Sequence, residues 1–101
     1  MISTRKSFTN SDFMERFIFE EEDLSGGFYL YEDETKIGEV TFRKKNPNAI
    51  SINHTYVLKE FEGRGYGKKL VDKVLEYAKE NDLSVTASCW FAEKVIQSYN
   101  P

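Results

Sequence analysis

A single cysteine, Cys89, rules out an internal disulfide, and with it the stapled scaffolds of small secreted domains. A reducing, cytoplasmic setting is therefore expected. One cysteine and one histidine, His54, are too few for a zinc site, so no metal is expected. No apolar run approaches the roughly 20 residues that cross a bilayer. The opening stretch MISTRKSFTN also lacks the apolar segment of a secretory signal. An excess of basic residues is missing too. A net charge of −3 and a pI near 5.2 argue against broad binding to nucleic acid or anionic lipid. No nucleic acid or membrane partner is expected, and any anion site must be local.

What is present suffices for one compact domain. The chain has 101 residues, 40% hydrophobic and 15% aromatic, enough to form a core but too few residues for two domains. Residues 1–12 are polar and aperiodic and read as a flexible N-terminal arm, leaving 13–101 as a single domain. RFIFEE alternates as a first strand, EEDLSGG reads as a turn, and FYLYED and KIGEVTFRK form a hairpin around EDET. NPN breaks the chain before AISINHTYV. In that strand strict alternation sets Ile50, Ile52, His54 and Tyr56 on one face, and Ser51, Asn53, Thr55 and Val57 on the other. Leu70, Val71, Val74, Leu75 and Ala78 then form one stripe of a helix. LSVTA reads as a short, largely buried strand, and a second helix runs from Trp90 to about Ser98. The fold class is α+β (mixed α/β): a mostly antiparallel twisted sheet of about five strands, in the order β-β-β-β-α-β-α.

The segment EFEGRGYGKKL carries the chemistry. Gly63, Gly65 and Gly67 run into the helix beside Arg64, Lys68 and Lys69. Backbone N–H groups at a helix start are unpaired, and glycines let them approach a phosphate closely. The segment is neither a P-loop nor a dinucleotide fingerprint, because Glu62, Lys68, Lys69 and Leu70 occupy positions those motifs reserve for other residues. Local composition leaves two readings open, a phosphate cradle and a connection that only turns the chain.

Glu62-Gly63-Arg64-Gly65-Tyr66-Gly67, reached from the strand that carries HTYV, resembles the glycine signature of the GCN5-related N-acetyltransferase family. With the later short strand and a cysteine before an aromatic residue, the chain is most similar to that family's small single-domain branch, over roughly residues 13–99. The resemblance implies the acyl-coenzyme A N-acyltransferase fold, acetyl-coenzyme A as co-substrate and a primary amine as acceptor. It also implies that backbone amides from Glu62, Gly63, Arg64, Gly65, Tyr66, Gly67 and Lys68, with the charge of Lys69, hold the diphosphate. Val57 and Leu58 would bond the pantetheine arm, and a free N–H near Tyr56 or Val57 would polarise the thioester carbonyl. Three features depart from the family. Glu62 stands where Gln or Arg is usual. Cys89 and Ile96 replace the Asn and the acidic Tyr of the last helix. No helix pair separates the first two strands.

Two residues are candidates for catalysis. The resemblance to the small branch implies a role for Cys89 as nucleophile or acetyl relay; the plainer reading is a small residue packed under Trp90. His54 could act as a base, but alternation sets it among core residues, where a hydrogen-bonded histidine is the plainer reading. The two would form a thiol–imidazole pair only if the fold joins them. Tyr66, Tyr99 and Trp90 could line the coenzyme groove, with Tyr99 a substitute acid. The run Glu20-Glu21-Glu22-Asp23 could attract a cationic acceptor. The expected function is N-acetyl transfer to an unidentified amine, directly or through acetyl-Cys89, by a monomer or weak dimer. The alternative is a coenzyme A-binding sensor or partner-dependent subunit without turnover.

Overall fold

The computed structural model describes residues 15–99; the expected N-terminal arm at 1–12 lies outside them. The chain runs β1 (Glu15–Glu21), β2 (Ser25–Glu32), β3 (Thr35–Asn46), β4 (Ala49–Val57), a single 3-10 turn (Lys59–Phe61), α1 (Tyr66–Glu80), β5 (Ser84–Ala87) and α2 (Trp90–Tyr99). Spatial order follows chain order, with β1 to β4 antiparallel and β5 parallel to β4. The element order and the mixed sheet agree with the sequence reading.

Local chemistry accounts for the turns. Asp33 takes a φ of 55° between β2 and β3, a conformation its short polar side chain tolerates. The Asn48 N–H donates to Asn46 Oδ1 at 2.8 Å in the turn between β3 and β4. Helix α1 ends at Glu80; just beyond it Asp82 takes a φ of 57°, and the Leu83 N–H reaches back to the Ala78 carbonyl at 2.8 Å and satisfies one of the last orphan acceptors.

Both helices lie side by side on one face of the sheet. Leu30, Val40, Phe42, Ile50 and Ile52 meet Leu70, Val71, Val74 and Ala78 of α1 and Ala92 and Val95 of α2 in one buried cluster. Phe19, Phe28 and Phe42 gather around the Tyr77 ring, at centroid distances of 5.0, 6.5 and 5.4 Å. No described residue covers the opposite face, which presents Tyr29, Tyr31, Glu39, Thr41, His54 and Tyr56.

Two details differ from the sequence reading. Ser25, Gly26 and Gly27 extend β2 instead of turning the chain, because the space beside the glycines is taken. A Cβ at Gly26 would lie 2.6 Å from Phe42 Cζ, and one at Gly27 2.7 Å from the Val40 carbonyl oxygen. Strand β5 is a half-exposed edge and not a buried strand, since it pairs with β4 alone.

Candidate functional site

The upper half of β4 is built by one extra residue. Thr41 pairs with His54 and Phe42 with Ile52, so Asn53 is bulged out of the ladder. The insertion shifts the alternation by one. Ile50 and Ile52 face the helices below the bulge, and Thr55 and Val57 take that face above it. His54 and Tyr56 are turned onto the open face, where they are 50% and 47% exposed. This corrects the expectation that His54 sits in the core with Ile50 and Ile52.

The same register decides where the backbone groups point. The Leu58 N–H donates to the Ile37 carbonyl at 2.8 Å, which makes Val57–Gly38 a non-hydrogen-bonded pair. The N–H and C=O of Thr55 and Val57 therefore point away from β3, toward the β5 side. There β5 has already ended. The N–H groups of Ser88 and Cys89 both reach the Ile52 carbonyl, at 2.9 and 3.3 Å, and the chain turns into α2. Strand β4 above Ile52 thus offers an unpaired edge. Tyr56, whose backbone is paired to Glu39, is not part of it. Leu58 is not available either, since its carbonyl also accepts from the Phe61 N–H at 2.8 Å.

The glycine turn forms the other wall. Gly63 and Gly65 have φ of 81° and 85°, where a side chain is strained, and a Cβ on either would meet nothing within 4 Å. The first α-helical bond runs from the Lys69 N–H to the Gly65 carbonyl, and no side chain caps this end. The N–H groups of Tyr66, Gly67 and Lys68 are therefore left facing an open cleft of about 510 Å³. Val57, Glu62, Gly63, Gly65, Tyr66, Gly67 and Lys68 all line it, as do Thr55 and Phe91, which the sequence did not single out. Gly67 serves packing, since a Cβ there would lie 2.8 Å from Phe91 Cζ.

The side chains divide differently from the backbone. Tyr66 is 7% exposed and donates from its hydroxyl to Glu15 Oε2 at 2.8 Å; burial first, then that carboxylate, push its phenol pKa up. It offers the cleft its backbone only. Lys68 Nζ donates to Asp72 Oδ2 at 3.2 Å and to the Tyr99 hydroxyl, and these partners, Tyr99 foremost, raise its pKa. Arg64 lies over the Phe61 ring at 5.1 Å, outside the cleft lining. Lys69 points toward Glu15, 3.8 Å away, and is likewise outside the lining. Tyr99 donates to Asp72 Oδ1 at 2.7 Å on the flank of α1 and is not among the residues that line the cleft.

Cys89 and His54 are not brought together. The half-buried Cys89 thiol donates to Thr55 Oγ1 at 3.7 Å on the helix side of β4. His54, next to Thr55 along the strand, points to the opposite face. Trp90 is 72% exposed, with Lys94 Nζ 4.6 Å above its ring, and does not bury Cys89.

Comparison with known proteins bears on the family and the fold. Residues 27–101 match the sequence profile of the GCN5-related N-acetyl-transferase family. A GCN5-like protein from Staphylococcus aureus, solved in solution by NMR, is 37% identical, with 82% of this chain and 80% of that one aligned at a TM-score of 0.62. A Bacillus subtilis acetyltransferase solved in complex with coenzyme A shares the fold at a TM-score of 0.68 over 86% of this chain and 76% of that one, with 16% identity. Protein NATD1 of Xenopus tropicalis is 33% identical over 52 residues, a match spanning 52% of this chain and 47% of that protein. The family profile covers most of the chain from β2 onward, and the chain belongs to the GCN5-related N-acetyltransferase family.

Proposed function

We propose that the protein is an acetyl-coenzyme A-dependent N-acetyltransferase that acts on a primary amine. The observation that carries this reading is the cleft itself. One wall is an uncapped helix start with open space at Gly63 and Gly65, and the other is the unpaired edge at Thr55 and Val57. An anionic diphosphate fits the first wall and a peptide-like pantetheine arm fits the second. The co-substrate supplies the activated acetyl thioester. Amides between Glu62 and Lys68 bind the diphosphate, while the exposed Glu62 side chain turns to solvent. Thr55 and Val57 pair with the arm as a strand would, and the Val57 N–H donates to the carbonyl oxygen where negative charge develops.

Direct transfer needs the fewest special residues. A base first takes one proton from the acceptor ammonium. The neutral amine then forms a C–N bond to the acetyl carbon, and the C–S bond breaks with its electron pair leaving on the coenzyme A sulfur. That thiolate takes up the second proton lost by the nitrogen. His54 is the base we assign, since it adjoins Thr55 along β4 and stands half exposed on the open face. In the alternative route Cys89 takes the acetyl group first and passes it on. Intact mass after incubation with acetyl-coenzyme A distinguishes them: one added acetyl, lost in Cys89→Ala, supports the relay.

Thermal shift tests the ligand. Acetyl-coenzyme A and coenzyme A should each stabilise the fold, by about 2.7 kcal/mol at one hundred times Kd, and ATP much less. Failure of acetyl-coenzyme A to stabilise rejects the reading. A second reading, a coenzyme A-binding subunit that needs a partner, is favoured by one observation: no described residue covers the face that carries His54. Coenzyme A release with a panel of amines, and none without, supports the enzyme. Stabilisation without release supports the subunit.

A further inference from the structure

On the helix-free face, three side chains from neighbouring strands are linked in a row. Lys36 Nζ donates to Glu39 Oε1 at 2.7 Å, and the other carboxylate oxygen, Oε2, lies 3.1 Å from His54 Nε2. Glu39 sits directly across from Tyr56, so it reaches His54 on the diagonal. The imidazole is parallel to the Tyr56 ring, tilted by 8° with centroids 6.4 Å apart. The Glu39 side chain is only 21% exposed, whereas His54 is half exposed. Lys36 first, and His54 after it, hold the Glu39 carboxyl below its ordinary range, so the carboxylate is charged wherever an imidazole titrates. Strand β5, the other neighbour of β4, carries no titratable side chain, and both helices pack on the far face. Among the described residues, Glu39 is thus the carboxylate that meets this imidazole.

We propose that Glu39 is a positioning residue that prepares His54 as the base of acetyl transfer. This rests on the acetyltransferase reading. The carboxylate accepts the Nε2–H, which fixes the tautomer of the neutral ring and leaves Nδ1 with its lone pair free. An acceptor ammonium then loses its proton to Nδ1: its N–H bond breaks, an Nδ1–H bond forms, and the imidazolium gains an ion pair with Glu39. Lys36 holds the first carboxylate oxygen and leaves the second for the ring. The exposed imidazolium returns its proton to water.

The chain's one histidine makes the test unambiguous in untagged protein. Long-range proton–nitrogen NMR of the neutral imidazole should report the Nε2–H tautomer. In Glu39→Gln, Lys36 keeps the amide oxygen and the NH₂ group turns to Nε2, so the Nδ1–H tautomer should dominate. The same variant should lose about tenfold or more in kcat for acetyl transfer, with KM for acetyl-coenzyme A unchanged. Glu39→Gln with His54→Gln should be no slower than His54→Gln alone. A wild-type ring in the Nδ1–H form, or a tautomer indifferent to Glu39→Gln, overturns the proposal. Turnover that survives both substitutions unchanged removes the Glu39–His54 role and leaves the acetyltransferase reading intact. An Nε2–H ring in a protein that acetyl-coenzyme A fails to stabilise rejects that reading, and the base role falls with it.

Discussion

The two halves of β4 differ in what they are paired to, and the difference separates stability from chemistry. From Ala49 to Ile52 the strand is hydrogen-bonded on both sides, to β3 and β5, and Ile50 and Ile52 are buried under the helices. From Thr55 to Val57 it keeps β3 alone, and its other edge opens on the cleft. One bulged residue, Asn53, divides the two regimes. The binding surface arises because a partner strand stops, not because a special side chain is added. Unsatisfied N–H and C=O groups that would invite aggregation on a long exposed edge are here confined to a cleft.

The sharpest way to break this contrast is to truncate equivalent positions on either side of the bulge. Ile52→Ala removes a side chain with no exposure and should cost about 3 kcal/mol in urea unfolding. Val57→Ala, on the half-buried edge, should cost only about 1 kcal/mol. It leaves the backbone N–H in place, so stabilisation by acetyl-coenzyme A should survive. Equal losses at the two sites would mean that the upper half is as much core as the lower.

The glycine turn gives the next, smaller contrast. Gly65→Ala forces a side chain into left-handed backbone and should cost about 1–2 kcal/mol, with most of the acetyl-coenzyme A stabilisation lost as the turn shifts. Gly67→Ala faces a different obstacle. Its helical backbone favours alanine, but the new Cβ would press on Phe91, so the loss should be recovered when Phe91→Ala is added. Recovery at Gly67 without recovery at Gly65 would assign one glycine to packing and the other to the shape of the cradle. Differential scanning calorimetry of Gly65→Ala and Gly67→Ala, each alone and each combined with Phe91→Ala, reads both.

Much of this was legible in the sequence because period and composition agreed. Alternation marked the strands, the stripe from Leu70 to Ala78 marked α1, and Gly63 and Gly65 marked a backbone that leaves room for a ligand. What stayed hidden depends on register. A bulge inserts one residue without any compositional sign, so the alternation of AISINHTYV read straight through Asn53 and put His54 on the wrong face. Gly26 and Gly27 look like a turn until Phe42 is known to lie against the first and the Val40 carbonyl against the second. Leu58 has donors and acceptors like any residue, and only the ladder shows them spent on Ile37 and Phe61. Glu39 gave no signal at all, because its meaning lies in a diagonal neighbour on another strand.

The smallest effect separates electrostatic stability from positioning. Lys36 first, then His54, lower the Glu39 pKa, against opposing burial. The folded state therefore takes up this proton less readily than the unfolded chain does. The stabilisation is fully present above the unfolded value of about 4.3 and is lost as pH falls through the lower folded value. Glu39→Gln should accordingly cost about 0.5–1 kcal/mol at pH 7, with Lys36 partly exposed, and the difference from wild type should vanish in acid. Glu21 provides the control from the far end of the sheet. Lys44, then Tyr77, lower its pKa in the same way, on a more exposed carboxylate. Glu21→Gln should show the same acid signature, weaker, while the His54 tautomer and acetyl transfer stay as in wild type. If Glu21→Gln disturbed both as much as Glu39→Gln does, the Glu39 effect would be one of general charge balance, and the imidazole would owe nothing to its particular neighbour.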